Sequence, residues 1–204
     1  MEDARRAADT FDSIAEHFDK TRNRPWKEVE EFIKDTTGKT IDIGCGNGRH
    51  SEIAADMGHD ITCLDASMRL LKITREKLKD RADYVRSGIK KMPFKKESFD
   101  NAIYIAAIHH LKVGRVESLE ETRRILKPGG RMIVTSWARG QERWDLEEDE
   151  QDVIVPWTRE DGKKIERFYH LYRLDELKDD VKMADFKIID SFHSKGNNYV
   201  IAEK

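Results

Sequence analysis

Short apolar runs alternate with amphipathic segments through the central part of the chain. The runs predict strands and the segments between them predict helices, because their hydrophobic residues follow the two periodicities of those structures. The predicted elements are a strand Thr40–Ile43, helix Arg49–Met57, strand Asp60–Leu64, helix Ser67–Lys79, strand Ala82–Val85, strand Phe99–Ile105, helix Val113–Leu126, turn Lys127–Gly130 and strand Arg131–Trp137. Short connections of this kind form right-handed crossovers, so the sequence predicts a doubly wound α/β fold with a mostly parallel sheet.

The segments that flank this region differ from each other. Apolar residues fall at helical spacing on both sides of Pro25, so residues 1–37 predict two helices. Residues 138–168 are polar and include the acidic run Asp145–Asp152. They show no clear period, and no helix or strand is predicted from them.

The C-terminal part predicts a helix followed by a hairpin. We expect a helix over Asp175–Ala184 and strands over Phe186–Phe192 and Tyr199–Ala202, joined by the turn residues Gly196–Asn198. This hairpin makes the last strand antiparallel. We expect a single domain, 1–204, with four consecutive parts: N-terminal helices 1–37, a core 38–137, an insertion 138–173, and a C-terminal helix and hairpin 174–204.

Composition narrows the class of protein. A chain of 204 residues can bury a core without disulfides, and its 38% charged residues indicate a heavily charged surface. It has no run of about 20 apolar residues that would span a membrane and no secretory start, so we expect a cytoplasmic protein. Cys45 and Cys63 lack the spacing of zinc ligands, which predicts reduced thiols and no metal site.

Charge leaves the question of nucleic-acid binding open. The net charge of −2 counts against it, since nucleic-acid binders usually present a positive face. Two local basic clusters count in its favour, one between Tyr84 and Lys96 and one between Lys20 and Lys27. A solvated surface explains either cluster equally well.

The first predicted strand runs directly into the glycine-rich loop Gly44–Gly48, after which a helix begins at Arg49. Glycines let the backbone turn sharply here and approach a ligand without a Cβ atom in the way. The spacing G-x-G-x-G differs from the G-x-G-x-x-G of dinucleotide-binding proteins. The second strand leads to Asp65, whose carboxylate can accept hydrogen bonds from both hydroxyls of a ribose. The loop alone would also fit a turn without a ligand, but the loop and the acid together indicate a nucleoside.

This arrangement, with Pro93 and Phe99-Asp100 leading into the fourth strand, resembles the class I S-adenosylmethionine-dependent methyltransferases over about residues 38–137. The resemblance implies a seven-stranded Rossmann-like sheet and S-adenosylmethionine as cofactor, so 38–137 becomes the cofactor-binding core and 138–173 the substrate-side insertion. The cofactor-binding residues that we predict are Asp42, Gly44, Cys45, Gly46, Asn47, Gly48, Asp65, Ala66, Ser87, Gly88, Ile89 and Ala106.

Two of these positions carry an open question. The acid that the superfamily places near the adenine is absent from Ser87–Ile89, so we expect backbone groups and the side chain of Ile89 to hold the adenine. Asp42 has two interpretations, an acid on the ligand side of the glycine loop or a structural cap of that loop. We favour the first.

Three further segments carry a narrower resemblance: Phe18–Trp26, Gln151–Trp157 and Arg167–Arg173. With them the chain is similar to the tRNA wobble-uridine carboxymethyl methyltransferases, which esterify a 5-carboxymethyl group on the first base of the anticodon. Eukaryotic members carry a long basic insertion where this chain has only Thr158–Glu166. The resemblance implies a tRNA anticodon loop as substrate, and also a small zinc-binding activator protein that forms a heterodimer at the third-strand edge, near Ala82–Val85.

The implied chemistry does not require a general base, because a carboxylate with a pKa of about 4 is already ionised at pH 7. The site needs a cation, flat side chains that stack an unpaired base, and a cover that excludes water. The candidates are Arg22, Arg24 and Arg173 for the cation, Trp26, Trp137, Tyr169 and Tyr172 for stacking, and His109, His110 and His170 for hydrogen bonds.

Several candidates also have a purely structural interpretation. Trp26 and Trp137 fit a core or cap position as well, and Tyr169 and Tyr172 would share a face and pack on the sheet if their segment were helical. Adjacent residues of an extended segment point to opposite sides, so we expect only one residue of the His109-His110 pair to face the site, and we favour His110.

Three functions remain open from the sequence. A tRNA-modifying enzyme is favoured by the narrow motifs. A small-molecule O- or C-methyltransferase is favoured by the near-neutral charge and the missing basic insertion. A non-catalytic cofactor-binding scaffold is favoured only by the missing adenine-side acid.

Overall fold

The computed structural model describes residues 2–141, 144, 146–147 and 150–204, with side chains from residue 7 onward in these ranges. Its α-helices are α1 (Glu2–Thr21), α2 (Lys27–Lys34), α3 (Arg49–Asp56), α4 (Met68–Leu78), α5 (Arg115–Ile125) and α6 (Leu174–Met183). Its strands are β1 (Lys39–Ile43), β2 (Asp60–Asp65), β3 (Ala82–Arg86), β4 (Phe99–Tyr104), β5 (Leu126–Trp137), β6 (Asp152–Thr158), β7 (Lys164–His170), β8 (Lys187–Ser194) and β9 (Asn197–Glu203). A short 3₁₀ helix spans Ile108–His110.

Seven strands form one twisted sheet in the order β3-β2-β1-β4-β5-β9-β8. The strands from β3 to β5 pair in parallel, and β9 lies antiparallel between β5 and β8. The chain order reverses between β1 and β4, and the carboxyl ends of strands at such a point border a crevice where ligands bind. The predicted doubly wound fold with an antiparallel last strand is confirmed.

Residues of the central strands alternate between two buried layers. In β4, Ala102 and Tyr104 join the layer that packs against α5 and α6, whereas Ile103 joins the layer that packs against α2, α3 and α4. This two-sided burial explains why the second half of the strand, Ala102–Tyr104, carries no charged residue. The hydroxyl of Tyr104 lies 3.0 Å from the hydroxyl of Ser118, so its polar atom is satisfied inside the core. The covered sheet fixes where each strand ends, and therefore where the residues of the crevice lie.

The turn predicted at Lys127–Gly130 is wrong, because β5 runs through these residues. Phe99 pairs with Leu126 and Asn101 pairs with Arg131, so β5 carries extra residues that bulge out while pairing with β4 continues on both sides. Gly129 has a φ of 75°, a conformation that glycine adopts without strain.

The insertion contains an antiparallel hairpin that the sequence did not reveal. Strands β6 and β7 pair from Asp152↔His170 to Thr158↔Lys164 and form a sheet of their own. The alternation is hidden in the sequence because the apolar Ile154 faces outward on β6, whereas the charged Arg167 faces inward on β7. Tyr169 lies on β7, so the helical alternative for Tyr169 and Tyr172 is wrong. The acidic run Asp145–Asp152 falls partly outside the described residues.

In the part of the chain that the structure describes, no helix combines the length and the apolar character needed to cross a membrane. Cys45 and Cys63 are buried free thiols. The same part of the chain contains no group of His, Cys, Asp or Glu side chains arranged to hold a metal ion.

Candidate active site

A pocket opens at the carboxyl edge of the sheet, where β1, β2 and β4 end. The glycine loop and Asp65 form its floor, α1 covers one side, and residues of β7 form part of the opposite wall. Ten of the predicted cofactor residues line it: Asp42, Gly44, Cys45, Gly46, Asn47, Asp65, Ala66, Gly88, Ile89 and Ala106.

The glycine loop is held against the end of β2 by a carboxylate. One oxygen of Asp65 accepts a hydrogen bond from the Gly46 N–H at 2.9 Å, and the other accepts one from the Ser67 N–H at 2.8 Å. Gly44 has a φ of 70°, and a Cβ atom there would lie 2.6 Å from the Cβ of Ala107. Burial raises the pKa of Asp65, although its backbone hydrogen bonds oppose that shift. Each oxygen keeps a lone-pair direction for a further donor, as a ribose requires.

Asp42 lies on the ligand side of the glycine loop, and the hydrogen bond that its side chain makes goes to α3 and not to that loop. It is buried, lines the pocket, and accepts a hydrogen bond from the Ser51 hydroxyl at 2.6 Å, so it also ties the strand end to α3. Burial, reinforced by the neighbouring Asp65, raises the pKa of Asp42 to about 7, against the opposing charge of Arg49. A ligand cation placed beside Asp42 would favour its ionised form.

Two predicted cofactor residues do not line the pocket. Gly48 is the N-cap of α3 with a φ of 77°, and a Cβ atom there would lie 2.6 Å from a methyl carbon of Thr74. Ser87 turns its hydroxyl to backbone oxygens, that of Gly88 at 3.1 Å among them. The structure therefore places these two residues in the framework of the loops. Ile89 lines the pocket, as expected for an apolar contact to the adenine.

Helix α1 covers the pocket, and the sequence did not predict this role for it. Ala7, Ala8, Phe11 and Phe18 project from α1 into the pocket lining. The signal was present as the apolar face of an amphipathic helix, but that face gives no information about the surface it covers.

Two acidic residues of α1 fasten it to the cofactor side. Asp12 accepts hydrogen bonds from the Ser67 hydroxyl at 2.5 Å and from the Arg69 N–H at 2.9 Å, at the start of α4. Asp19 accepts a hydrogen bond from the Asn47 side-chain amide at 2.7 Å and is paired with Lys77. The predicted cofactor residue Asn47 thus links the glycine loop to the cover.

The other half of the pocket is aromatic. The ring of Tyr169 stacks on Trp137 with centroids 4.2 Å apart and on His109 with centroids 5.0 Å apart. His110 meets the edge of Tyr169 at 4.4 Å and the ring of Phe11 at 4.9 Å. Trp137 and Tyr169 therefore belong to the pocket wall and not to the sheet core.

Both histidines of the pair line the pocket, so the expectation that only one would do so is wrong. The segment is a 3₁₀ helix and not an extended chain, so the two adjacent side chains point about 120° apart instead of to opposite sides. Burial lowers the pKa of His109 well below its usual range and lowers the pKa of His110 to about 4. Both rings are consequently neutral at pH 7.

The partners of the two rings fix opposite tautomers. The Nδ1 of His109 lies 3.0 Å from the backbone N–H of Trp137 and must accept its hydrogen bond, so the proton of the His109 ring resides on Nε2. The Nδ1 of His110 faces the Phe168 carbonyl at 3.0 Å and must donate, so its Nε2 carries the lone pair. The pair offers one donor and one acceptor that do not change with pH near neutrality.

The predicted cations separate into two groups. Arg22 lines the pocket, whereas Arg24 and Arg173 are exposed and do not. Arg173 is the N-cap of α6, so its assignment to the substrate carboxylate is corrected. Arg49 and Arg167, which were not among the predicted cations, line the pocket instead.

Trp26 lines the pocket at the side of the glycine loop. The guanidinium of Arg49 lies 5.4 Å from the centre of its ring, and the ring of His50 lies 5.9 Å away. Tyr172, by contrast, is fully buried in the layer under α5 and α6, and its hydroxyl bonds Asp180 at 2.8 Å. It therefore belongs to the core.

His170 is also outside the pocket lining, which corrects its assignment. It is buried between two acids: its Nδ1 lies 2.6 Å from Asp152 and its Nε2 lies 2.7 Å from Glu176. Burial alone would lower the pKa of His170, but the hydrogen bonds to Glu176 and Asp152 outweigh it and raise the pKa above the usual 6.5. The residue joins the hairpin to α6.

This bridge predicts a pH-dependent contribution to stability. A histidine whose pKa is raised by folding contributes fully below its unfolded pKa of 6.5 and loses that contribution as the pH rises through the folded pKa. We expect the difference in free energy of unfolding between the wild type and His170→Gln, measured by urea denaturation, to be larger at pH 6 than at pH 8.5. Thr158→Ala, at an exposed position of β6 without a titratable group, serves as the control and should show no such trend. A difference that stays constant over this range would contradict the bridge.

Comparison with known families agrees with this geometry. Residues 41–134 match the family model described as a methyltransferase domain. Together with the glycine loop and Asp65 at the crevice, the match makes the chain an S-adenosylmethionine-dependent methyltransferase. It is 31% identical over 220 residues to a Schizosaccharomyces pombe protein named tRNA (carboxymethyluridine(34)-5-O)-methyltransferase, covering 95% of this chain and 94% of that protein. The chain belongs to that family, as the sequence resemblance indicated.

Solved structures support the fold. A Burkholderia thailandensis 1,6-didemethyltoxoflavin-N1-methyltransferase, crystallised with its substrate and S-adenosylhomocysteine, matches with a TM-score of 0.74 at 18% identity, over 100% of this chain and 89% of that one. A complex between the Trm112 methyltransferase activator of Haloferax volcanii and a methyltransferase matches with a TM-score of 0.74 at 16% identity, over 97% of this chain and 96% of that one. At these identities the matches establish the architecture alone.

Proposed function

We propose that this enzyme methylates the carboxylate of a 5-carboxymethyl group on the wobble uridine of a tRNA anticodon, which produces a methyl ester. The full-length similarity to the S. pombe enzyme supports the substrate class. The observation that carries the proposal is the composition of the substrate half of the pocket. This half of the pocket combines a stacked aromatic wall, two neutral histidines and arginines. An unpaired base needs flat side chains and hydrogen-bonding partners, and its charged substituent needs a cation.

The residues on the cofactor side fit S-adenosylmethionine, which when bound supplies a methyl group on a positively charged sulfonium. Asp65 would hold the ribose hydroxyls, and Ile89 with Leu70 would contact the adenine. The acid Asp42 would lie beside the ammonium group of the methionine part of the cofactor. The glycine loop would accommodate the amino-acid end of that part. The missing adenine-side acid is therefore compensated by apolar contact.

On the substrate side the protein has to orient the carboxylate of the substrate, and it does not have to remove a proton from it. The carboxylate is already ionised at pH 7, so the neutral state of His109 and His110 is no obstacle. Their fixed donor and acceptor suit the edge of a uracil ring, which has both carbonyl oxygens and an N–H group. Because α1 covers one side of the pocket, it would limit the access of water to the carboxylate and the methyl donor.

The direct test is methyl transfer with radiolabelled S-adenosylmethionine. We expect label in tRNA isolated from cells that lack this enzyme and, after nucleoside analysis by mass spectrometry, in the methyl ester of 5-carboxymethyluridine. The Asp65→Ala variant serves as the inactive control. Label that appears only in a small-molecule extract would favour the small-molecule alternative. An absence of label in both, with the activator protein present, would favour the scaffold alternative.

The proposal includes a zinc-binding activator at the edge of the sheet. Strand β3 is an edge strand, and its Ala82, Tyr84 and Val85 are only half-buried, so its surface is open to a partner. We expect co-expression with such an activator to increase both the yield of monodisperse protein and the specific activity, measured by light scattering and methyl transfer. A monodisperse monomer with full activity alone would contradict this part of the proposal.

A cytoplasmic location belongs to the same proposal. The free thiols of Cys45 and Cys63 are compatible with a reducing compartment. Fractionation of cells that carry a tagged full-length chain would test it.

A further inference from the structure

Arg167 is a buried cation in the wall of the substrate pocket. It lies on β7, and the alternation of that strand places Ile165, Arg167 and Tyr169 on its inner face. Arg167 is only 7% exposed, and arginine is rarely buried to this extent. A guanidinium kept in such a position requires specific contacts, because it loses its hydration.

Aromatic rings supply these contacts. The guanidinium carbon of Arg167 lies 4.8 Å from the ring centre of Trp157 and 5.0 Å from that of Tyr169. One of its nitrogens donates a hydrogen bond to the Tyr169 hydroxyl at 2.5 Å. These three contacts orient the plane of the guanidinium. None of them involves a negatively charged group, so they leave its positive charge in place.

The positive charge of Arg167 reaches the residues expected to hold the base. Burial is the main cause of the low pKa of His109 and of His110, and the charge of Arg167 lowers both further. Arg167 is therefore close enough to act on a group bound between the histidines and the hairpin.

A second pocket arginine uses the same indole. The guanidinium of Arg22, which follows α1, lies 5.4 Å from the ring centre of Trp157. The Trp157 indole N–H faces Nδ1 of His17 at 3.1 Å, which fixes the ring between the hairpin and α1. One aromatic residue thus holds two cations that come from two different walls of the pocket. We call Arg22 and Arg167 the guanidinium pair.

We infer that the guanidinium pair selects the substrate by the negative charge of its 5-substituent, with Trp157 as the positioning residue. This inference rests on the proposed function and names the element of the site that recognises the carboxylate. Planar guanidinium groups bind carboxylates through paired hydrogen bonds, which an amide or an ester cannot match. The methyl ester formed in the reaction is neutral, so the same pair that holds the substrate releases the product.

The test compares two anticodon stem-loops, one with 5-carboxymethyluridine and one with the neutral 5-carbamoylmethyluridine. The two stem-loops compete with each other for the wild-type enzyme in complex with S-adenosylhomocysteine. We expect the carboxylate form to bind about tenfold or more tightly than the neutral form, and this ratio of affinities is the quantity measured. Arg167→Gln should bring this ratio close to one, and Arg167→Lys should restore part of it. Arg24→Gln is the matched control, because Arg24 is exposed and outside the pocket, and it should leave the ratio unchanged.

Trp157 is tested in the same assay. Trp157→Phe keeps a ring for the two cations and should retain the preference, whereas Trp157→Leu should lose it. Calorimetric affinity for S-adenosylhomocysteine should stay within about threefold of the wild type in all variants, which shows that they fold.

The outcomes separate the inference from the proposed function. If the wild type methylates the carboxymethyl stem-loop and Arg167→Gln keeps the full preference for the carboxylate, the inference is overturned and the proposed function stands. If the wild type, with its activator, does not methylate the carboxymethyl stem-loop at all, both are overturned.

Discussion

Replacing Asp65 with alanine is expected to weaken the binding of S-adenosylmethionine by at least about 100-fold. Two hydrogen bonds from ribose hydroxyls to a carboxylate contribute about 1.5–3 kcal/mol each, which together corresponds to this loss. The same side chain holds the N–H groups of Gly46 and Ser67, so its removal also loosens the glycine loop. Calorimetric titration with S-adenosylhomocysteine measures the effect, and methyl transfer should fall with it.

Two variants accompany this measurement. Asp65→Asn keeps one acceptor and should lie between the wild type and the alanine variant. Asp83→Ala removes an exposed acid of β3 that is not part of the pocket, and its affinity should equal that of the wild type. An affinity of Asp65→Ala within about threefold of the wild type would show that the ribose is held elsewhere.

Replacing Trp137 with alanine is expected to reduce kcat/KM for tRNA by about 5- to 150-fold while leaving the cofactor affinity intact. A base stacked on an aromatic ring gains about 1–3 kcal/mol, which corresponds to this range. Trp137 is partly exposed at the end of β5 and lines the pocket beside Tyr169, so its ring lies within reach of a base bound there. Steady-state methyl transfer with varied tRNA measures the effect.

Trp137→Phe is the matched control, because it keeps an aromatic face and should recover most of the activity. An equal loss of tRNA turnover and of S-adenosylhomocysteine affinity in Trp137→Ala would mean that the ring supports the cofactor side. In that case Tyr169 alone would remain as the stacking surface.

Ten of the twelve residues predicted for the cofactor side line one pocket because that side is local in the chain. A strand, a glycine loop and a helix are contiguous, and Asp65 follows at the end of the next strand. The geometry of a parallel sheet brings such strand ends together without further information. Of the twelve predicted cofactor residues, Gly48 and Ser87 lie outside the pocket lining. Each is adjacent in the chain to a lining residue, Asn47 and Gly88 respectively.

The substrate side was predicted less completely because it depends on which face a short strand turns inward. Arg167 and Arg173 lie in the same segment, and a sequence without a visible period does not distinguish them. Once β7 is known to be a strand, its alternation places Arg167 beside Tyr169, whereas Arg173 lies beyond the strand at the start of α6. The histidine pair was affected in the same way, since the 3₁₀ turn replaces the extended chain that was assumed.

The cover could not be predicted because its contacts are distant in sequence. Phe11 meets His110, and Asp12 meets Ser67, only after the chain has folded around the sheet. An amphipathic helix reveals that it has a partner surface but not which surface it is.

Helix α1 and the hairpin also touch each other across the pocket, through the bond between Trp157 and His17 and the ion pair of Glu160 with Lys20 at 2.7 Å. This joint links α1, which is fastened to the cofactor loop through Asp19 and Asn47, to the hairpin that carries Arg167 and Tyr169 on the substrate side. The placement of one half of the pocket is therefore coupled to the placement of the other.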